Sequence, residues 1–472
     1  MKKRMSAAAA AIAVLLTGCM GDIEEPSPIL TTVPETAAAV TEVSAETTTT
    51  TTTTTAAETT TKKTTTTTKK TTTKKKTTTA AQTTATPPPA TTAKQTTAAP
   101  ATTTAKAATA EALPAGDPPT VGGYNKVEVY KKITFAKLLE GTGITPDDQK
   151  ACVPTGKLGK QSVKIKIGGK EEVIGLDVVD TQAPVFFYAP SVITVEYGSS
   201  FDLNSCIGFG DNYDAHPKCS YSGSVNTYAA GDYPINITIK DSSGNTRTQY
   251  STVSVVSYMP GWSSGLTAMK FADFCKKYKA ANADFGLDVS AWQGNIDFNK
   301  VKKAGCNFVF IRCAHHSDDF YVDQYFDQNL KNALAAGIDT GVYIFTTCST
   351  PKQAREHAQW VIKKLGGQKL QLPIAFDWES FDKFQNCGLS IHTLNECYRA
   401  FREEIEAAGY ECILYNSKNF LETVWEADTL DNVWLANYTE WTEYSGRYQF
   451  WQQGIGRIDG IDGDVDLNVR YR

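Results

Sequence analysis

The sequence predicts a multidomain chain: a C-terminal α/β barrel, a β-sandwich region ahead of it and a disordered linker before that. Three observations carry this prediction. From Phe285 onward, strand-like and helix-like runs alternate, as βα units around a mostly parallel sheet do. Between residues 120 and 258, short strand-like runs are separated by turn signals. Before residue 112 lies nearly all of the threonine excess. The net charge of -4 is small, and no basic domain surface announces nucleic-acid binding.

The N-terminus reads as an export signal over residues 1–19. Lys2, Lys3 and Arg4 form a charged start, and Ala7 to Leu16 form an apolar run too short to span a membrane. It ends in Leu16-Thr17-Gly18-Cys19, which resembles the lipobox of bacterial lipoproteins and implies lipid attachment at Cys19. The expected location is therefore extracellular, anchored by lipid to the cell membrane within the cell envelope. Residues 20–119 are Thr, Ala, Pro and Lys with scarcely an aromatic, a composition that cannot offset its ordering entropy, so a disordered tether is expected.

Residues 120–258 carry strand-like runs such as Val127-Glu128-Val129-Tyr130, Val163 to Ile167 and Tyr233 to Ile239, and form one or two β-rich domains. The run Gly231 to Thr246 resembles bacterial immunoglobulin-like surface repeats. A spacer or wall-binding role is expected of it. Asp211, Asp214 and Asp241 could bind calcium, but loop acids near turns are ordinarily solvated, so no metal is assigned. Of the 11 cysteines, Cys306, Cys313 and Cys412 sit in apolar runs as small hydrophobes, and Cys206 and Cys219 are the disulfide candidates.

In the C-terminal region, at 284–472, the strands are Phe285–Ser290, Asn307–Cys313, Gly341–Phe345, the run ending in Asp377-Trp378-Glu379, Cys412–Asn416, Val433–Tyr438, Tyr448–Gln452 and Val465–Val469. Helical patterns cover Asp297–Ala304, Asp323–Ala336, Pro351–Leu365 and Leu394–Ala408. Eight strands suffice to close a barrel, with the first beside the last. Side chains alternate along a strand, so Asp377 and Glu379 share a face and Trp378 takes the other. Two adjacent carboxyls cannot both ionise freely, so one holds its proton near neutral pH. Asp288 and Asp466 fall at the same end of the barrel, where catalytic groups of βα barrels gather. Trp292, Tyr343, Tyr415, Trp434, Tyr438, Trp451 and Gln452 concentrate there too, a mixture suited to sugar rings with apolar faces and hydroxyl edges.

Four motifs occur in order: Asp288-Val289-Ser290-Ala291-Trp292-Gln293-Gly294, Phe308-Val309-Phe310-Ile311-Arg312, Asp377-Trp378-Glu379 and Val465-Asp466-Leu467-Asn468. Together they resemble glycoside hydrolase family 25, the muramidases often called Chalaropsis-type lysozymes. The resemblance implies a flattened (β/α)5(β)3 barrel and cleavage of the β-1,4 bond from N-acetylmuramic acid to N-acetylglucosamine in peptidoglycan. It also implies Glu379 as general acid/base, Asp377, Asp288 and Asp466 as the other catalytic carboxyls, and Gln293 and Arg312 beside the aromatics as substrate-binding groups. No cofactor is expected, and the expected partners are glycan strands and, through the anchor, the membrane, with the protein a monomer. After the second strand the chain reads Ala314-His315-His316-Ser317-Asp318-Asp319, where many relatives carry Ala-Thr-Glu-Gly or similar; a metal site there is a minor alternative to polar loop residues. A non-catalytic wall-binding lipoprotein and a hydrolase of another glycan stay open as rival readings.

Overall fold

The computed structural model describes residues 118–259, 265–317 and 319–472. The expected signal peptide, Cys19 and all but the last two residues of the 20–119 linker lie outside the described residues.

Ahead of the barrel are two units with separate cores. In the first, Lys170–Val179 pairs parallel with Val121–Glu128 and antiparallel with Gly159–Ile167. A short helix, Phe135–Leu138, is capped by the Thr134 side chain and closes a core of Val127, Phe135, Ile174, Leu176 and Val178. The second unit has a four-stranded sheet of Val192–Glu196, Thr246–Val256, Gly231–Lys240 and Lys218–Ser222, and a two-stranded one of Val185–Tyr188 and Gly208–Gly210. Ile235, Ile237 and Ile239 alternate inward onto Phe209, the pleat period of a half-buried strand. Cys206 and Cys219 are both free thiols, which corrects the expected disulfide.

The barrel strands are β1 (Ala283–Val289), β2 (Phe308–His316), β3 (Asp339–Phe345), β4 (Ile374–Asp377), β5 (Cys412–Ser417), β6 (Val433–Ala436), β7 (Phe450–Arg457) and β8 (Val465–Tyr471). Neighbours from β1 to β7 pair parallel, and β8 runs antiparallel to both β7 and β1, closing the ring. Helices α1 (Phe298–Lys303), α2 (Phe326–Ala335), α3 (Pro351–Leu365), α4 (Ile391–Ala407) and α5 (Lys418–Thr423) follow β1 to β5 in turn. The short strand Met269–Lys270 and the helix Phe271–Lys277 precede the ring and were not expected from sequence.

Alternation sorts the ring into two layers. Phe308, Phe310, Tyr343, Tyr415, Trp434 and Phe450 fill the interior. Val309, Ile311, Val342, Ile344, Leu414, Leu435 and Leu467 join the outer core beneath the helices. On β2 the register slips between Arg312 and Ala314, and Cys313 and Ala314 both face outward. That bulge ends the inward series at Arg312. Away from the strand ends that carry the acids, Arg470 pairs with Asp284 at 2.7 Å and Asp339 at 2.8 Å.

The sandwich packs directly on the barrel. Phe187 meets Phe384, Phe381 and Phe420 edge-on, with ring centroids 5.0, 5.5 and 6.0 Å away. Gln385, buried in the 3-10 segment Ser380–Asn386, accepts from the Phe209 amide and donates to the carbonyls of Asn204 and Ile207. The amide of Ile391, first residue of α4, donates to the Asp211 carbonyl at 2.8 Å. Truncating Phe187 removes the ring that enters this aromatic cluster. Phe187→Ala is expected to destabilise the protein by about 3–5 kcal/mol, the usual cost of emptying a buried aromatic site. Thermal or urea unfolding monitored by tryptophan fluorescence checks this, and an unchanged midpoint would refute the packing account.

Candidate active site

The four acids reach one end of the ring by the pleat. Asp288 lies between Leu287 and Val289 on β1, both of which face the outer core, so its carboxyl points inward. Asp466 sits directly opposite it on β8. Asp377 is the last residue of β4, in register with Phe345 on β3 and Tyr415 on β5. Trp378 turns outward, fully buried, its Nε1 donating to the Cys348 carbonyl at 3.1 Å. Glu379 follows beyond the strand. Asp288, Asp377 and Asp466 are 4, 3 and 4 % exposed, whereas Glu379 is partly exposed.

Amides organise the buried side. Asp288 Oδ2 accepts from Asn468 Nδ2 at 2.7 Å and from Gln452 Nε2 at 2.9 Å. Gln452 Oε1 in turn accepts from the hydroxyls of Tyr438 and Tyr415 at 2.6 and 2.8 Å. Trp434 Nε1 donates to Asn468 Oδ1 at 2.8 Å. These contacts fix which end of each carboxamide faces Asp288, and the donors favour its charged form.

The acids are thereby separated in proton affinity. Burial raises Asp288 to about 6, with Gln452 and Asn468 pulling the other way. Burial also raises Asp377 well above the carboxylate range, opposed by a hydrogen bond from Glu379 and by the Arg312 charge. Glu379 is raised well above that range too, by burial, by the Asp377 charge and by its hydrogen bond with Asp377. Asp466 is raised by burial and by Asp288. Asp288, at about 6, is therefore the more readily ionised and Glu379 holds its proton more tightly, the division of labour that acid catalysis requires. Asp377 Oδ1 is buried without a hydrogen-bond partner.

The other expected site residues divide. Gln452 and Tyr438 join the network about Asp288 directly, and Tyr415 and Trp434 support it from the interior. Tyr343, also interior, meets Trp434 edge-on. Arg312 is buried and donates to Asp323 Oδ2 at 3.2 Å, an oxygen that also accepts from the Ala291 amide at 2.7 Å. Gln293 completes a capping box with Ser290, and its Nε2 reaches the Asp464 carbonyl. Trp292 is 51 % exposed, an aromatic face open to solvent.

Trp451 is a correction. It stands between inward-facing Phe450 and Gln452, so the pleat turns it outward, where it meets Tyr278 edge-on and donates to the Asn437 carbonyl. It is not a groove residue.

Sequence reasoning missed Asn468 and Asp323 as site residues. Asn468 lies two residues beyond Asp466 on the same strand face, so alternation from Asp466 finds it. Asp323 carries no such signal. It reaches the site because β2 continues to His316 and turns back through the short strand Phe320–Val322. In that hairpin His315 stacks on Tyr321 and His316 hydrogen-bonds Thr347. Asp318 lies outside the described residues. A pocket of about 700 Å³ lined by Asn295, Asp297, Lys300, Asn332, Gly460 and Asp462 contains none of the four acids, so the carboxyl cluster and not concavity locates the chemistry.

Comparison with known proteins finds relatives of the C-terminal region. Lysozyme M1 of Streptomyces globisporus is 29% identical over 197 residues, which cover 39% of this chain and 66% of that protein. The autolytic lysozyme of Clostridium acetobutylicum is 27% identical over 189 residues, 39% of this chain and 54% of its own length. The chain thus spans less than two thirds of the length of either relative. The crystal structure of the bacterial lysozyme from Streptomyces coelicolor aligns at 26% identity and a TM-score of 0.36, over 41% of this chain and 94% of that one. Residues 189–255 match the model of the bacterial surface protein, Ig-like domain, and residues 287–458, which hold Asp288, Asp377 and Glu379, match that of the glycosyl hydrolases family 25.

Proposed function

We propose that the chain is a cell-surface peptidoglycan hydrolase, a muramidase that cleaves the β-1,4 bond between N-acetylmuramic acid and N-acetylglucosamine, with Glu379 as general acid/base. One observation supports this above the rest. Inside the segment that matches the glycosyl hydrolases family 25, a partly exposed Glu379, raised well above the carboxylate range, shares the field of a buried Asp288 whose Oδ2 accepts from two carboxamides.

Glu379 protonates the glycosidic oxygen as the leaving sugar departs. Positive charge grows at the anomeric carbon, and the Asp288 carboxylate, desolvated and fixed, lowers the barrier without reorganising. Asp377 raises the proton affinity of Glu379 through its charge and their shared hydrogen bond, while the Arg312 charge draws Asp377 itself part of the way back down. Asp466 adds to the field that raises Glu379. Trp292 offers a sugar ring an exposed apolar face. The reaction needs no cofactor. A lipid on Cys19 and the 20–119 tether would hold this barrel in the wall of the producing cell.

The direct test is mass spectrometry of fragments released from purified peptidoglycan, where a muramidase leaves N-acetylmuramic acid at each new reducing end. N-acetylglucosamine there, or no release, would overturn the assignment. Glu379→Gln is expected to lower turnover by roughly 10²–10⁴-fold, the usual weight of general acid catalysis. Binding to peptidoglycan should persist, and near-normal lysis by this variant would remove Glu379 from its role.

Activity should also titrate. Asp288 must be ionised, so kcat/KM is expected to rise with pH through about 6 and to fall where Glu379 loses its proton, well above the carboxylate range. Asn468→Ala removes a donor to the Asp288 anion. A hydrogen bond to a charged group is worth about 1.5–3 kcal/mol, so the acid limb should move up by roughly one pH unit or more. An acid limb that stays put in Asn468→Ala, with only the overall rate reduced, would make Asn468 structural alone.

A further inference from the structure

Outside the barrel mouth, a second group of acids is buried. Asp180 follows the last strand of the N-terminal sheet, Asp211 follows Gly208–Gly210, and Asp241 opens the turn between the two longest sandwich strands. They are 8, 1 and 5 % exposed. Each offers a carboxylate oxygen within 4.8 Å of those of the other two. Among the described residues no lysine or arginine forms an ion pair with any of them.

Their hydrogen bonds come from amides and leave oxygens over. Asp211 Oδ1 accepts from the amides of Tyr213 and Asp214, Asp180 Oδ1 accepts from Gln182 N and Asn212 Nδ2, and Asn245 serves both oxygens of Asp241. Asp180 Oδ2 and Asp211 Oδ2 are buried with no partner at all, and so is the Oδ1 of Asn212. Orphaned buried oxygens on two of three neighbouring carboxylates are costly unless a cation completes them.

We propose that Asp180, Asp211 and Asp241, with the side-chain oxygen of Asn212, bind a calcium ion. The donors are all oxygen, which selects a hard cation. Oxygens bound to one Ca²⁺ at roughly 2.3–2.6 Å can be no more than about 5 Å apart, and the three carboxylates meet that limit. Mg²⁺ demands a near-regular octahedron at shorter distances, which a set drawn from three separate turns does not supply. Asp214, a sequence candidate, drops out: its two oxygens accept from the amides of His216 and Ser242. Asp180, which sequence reasoning passed over, takes its place.

The position gives the ion a purpose. Asp180 belongs to the connection from the N-terminal sheet, while Asp211 and Asp241 belong to the sandwich. The carbonyls of Asp211 and Asn212 accept from the first two amides of α4, Ile391 and His392. Calcium therefore pins the two N-terminal units together at the point where the sandwich grips the barrel.

The test is calorimetric titration of CaCl₂ into chelator-treated full-length protein, with MgCl₂ as the contrast. One saturable Ca²⁺ site is expected, half-filled at or below about 1 mM, the range of extracellular modules, with a rise in melting temperature. Asp180→Asn and Asp241→Asn should each weaken binding at least tenfold and lose the Ca²⁺-dependent rise. Absence of Ca²⁺ binding by the wild-type protein up to about 10 mM would overturn the site, and so would equal binding of Mg²⁺. Undiminished Ca²⁺ affinity in either variant would do the same. The wild-type titration decides even if a variant fails to fold, and peptidoglycan hydrolysis, read separately, does not bear on it.

Discussion

The structure is arranged around the burial of four carboxyls in one place. Desolvation raises every one of them above its ordinary range, so ionising them opposes folding. For a carboxyl raised in the folded state, the stabilising contribution is complete below the unfolded pKa and is lost as pH climbs through the folded one. The barrel must hold this cluster together near neutrality, and it does so from both layers. The interior packs Phe310 face to face with Trp434 at 4.2 Å below the acids, and the outer core locks the strands that carry them. The carboxamides of Gln452 and Asn468 then break the symmetry. By donating to Asp288 they favour its charged form, while Asp377, Glu379 and Asp466 are all raised well above the carboxylate range.

Much of this was legible because a strand has a period of two. The Asp377-Trp378-Glu379 triplet, read as two acids on one face and an indole on the other, has that arrangement in the structure. On β7 the same period separates Trp451 from Gln452, so an expectation that puts both in the groove cannot hold. Adjacent strand residues cannot share a face, and Trp451 is buried outside. Carried along β8, the rule would have found Asn468 from Asp466. Closure of the ring, with the first strand beside the last, also followed from the strand count.

What sequence could not supply was contact between distant segments. Asp323 reaches Arg312 only because β2 overruns its expected end and folds back as a hairpin. Asp180 joins Asp211 and Asp241 only because two separately cored units meet there. Alternation and turn chemistry are local, and neither measures which loops abut. The acids near turns were accordingly read as solvated, whereas Asp211 and Asp241 are buried.

The sandwich, for which a spacer or wall-binding role is expected, packs directly against the barrel. Glu379 lies outside β4, so its backbone is not held by the ladder. The residues immediately after it, Ser380–Asn386, are held from the sandwich side: Phe381 and Phe384 by Phe187, and Gln385 by three backbone groups. Gly208 shows how close the approach is, since a Cβ there would collide with the Phe381 carbonyl, and one at Gly210 would meet the Phe384 ring. Two glycines on the sandwich thus match two phenylalanines on the barrel within five residues of Glu379. The contact holds the segment that follows Glu379, the one acid of the four that lies outside the strands of the ring, and so ties the position of Glu379 to the sandwich.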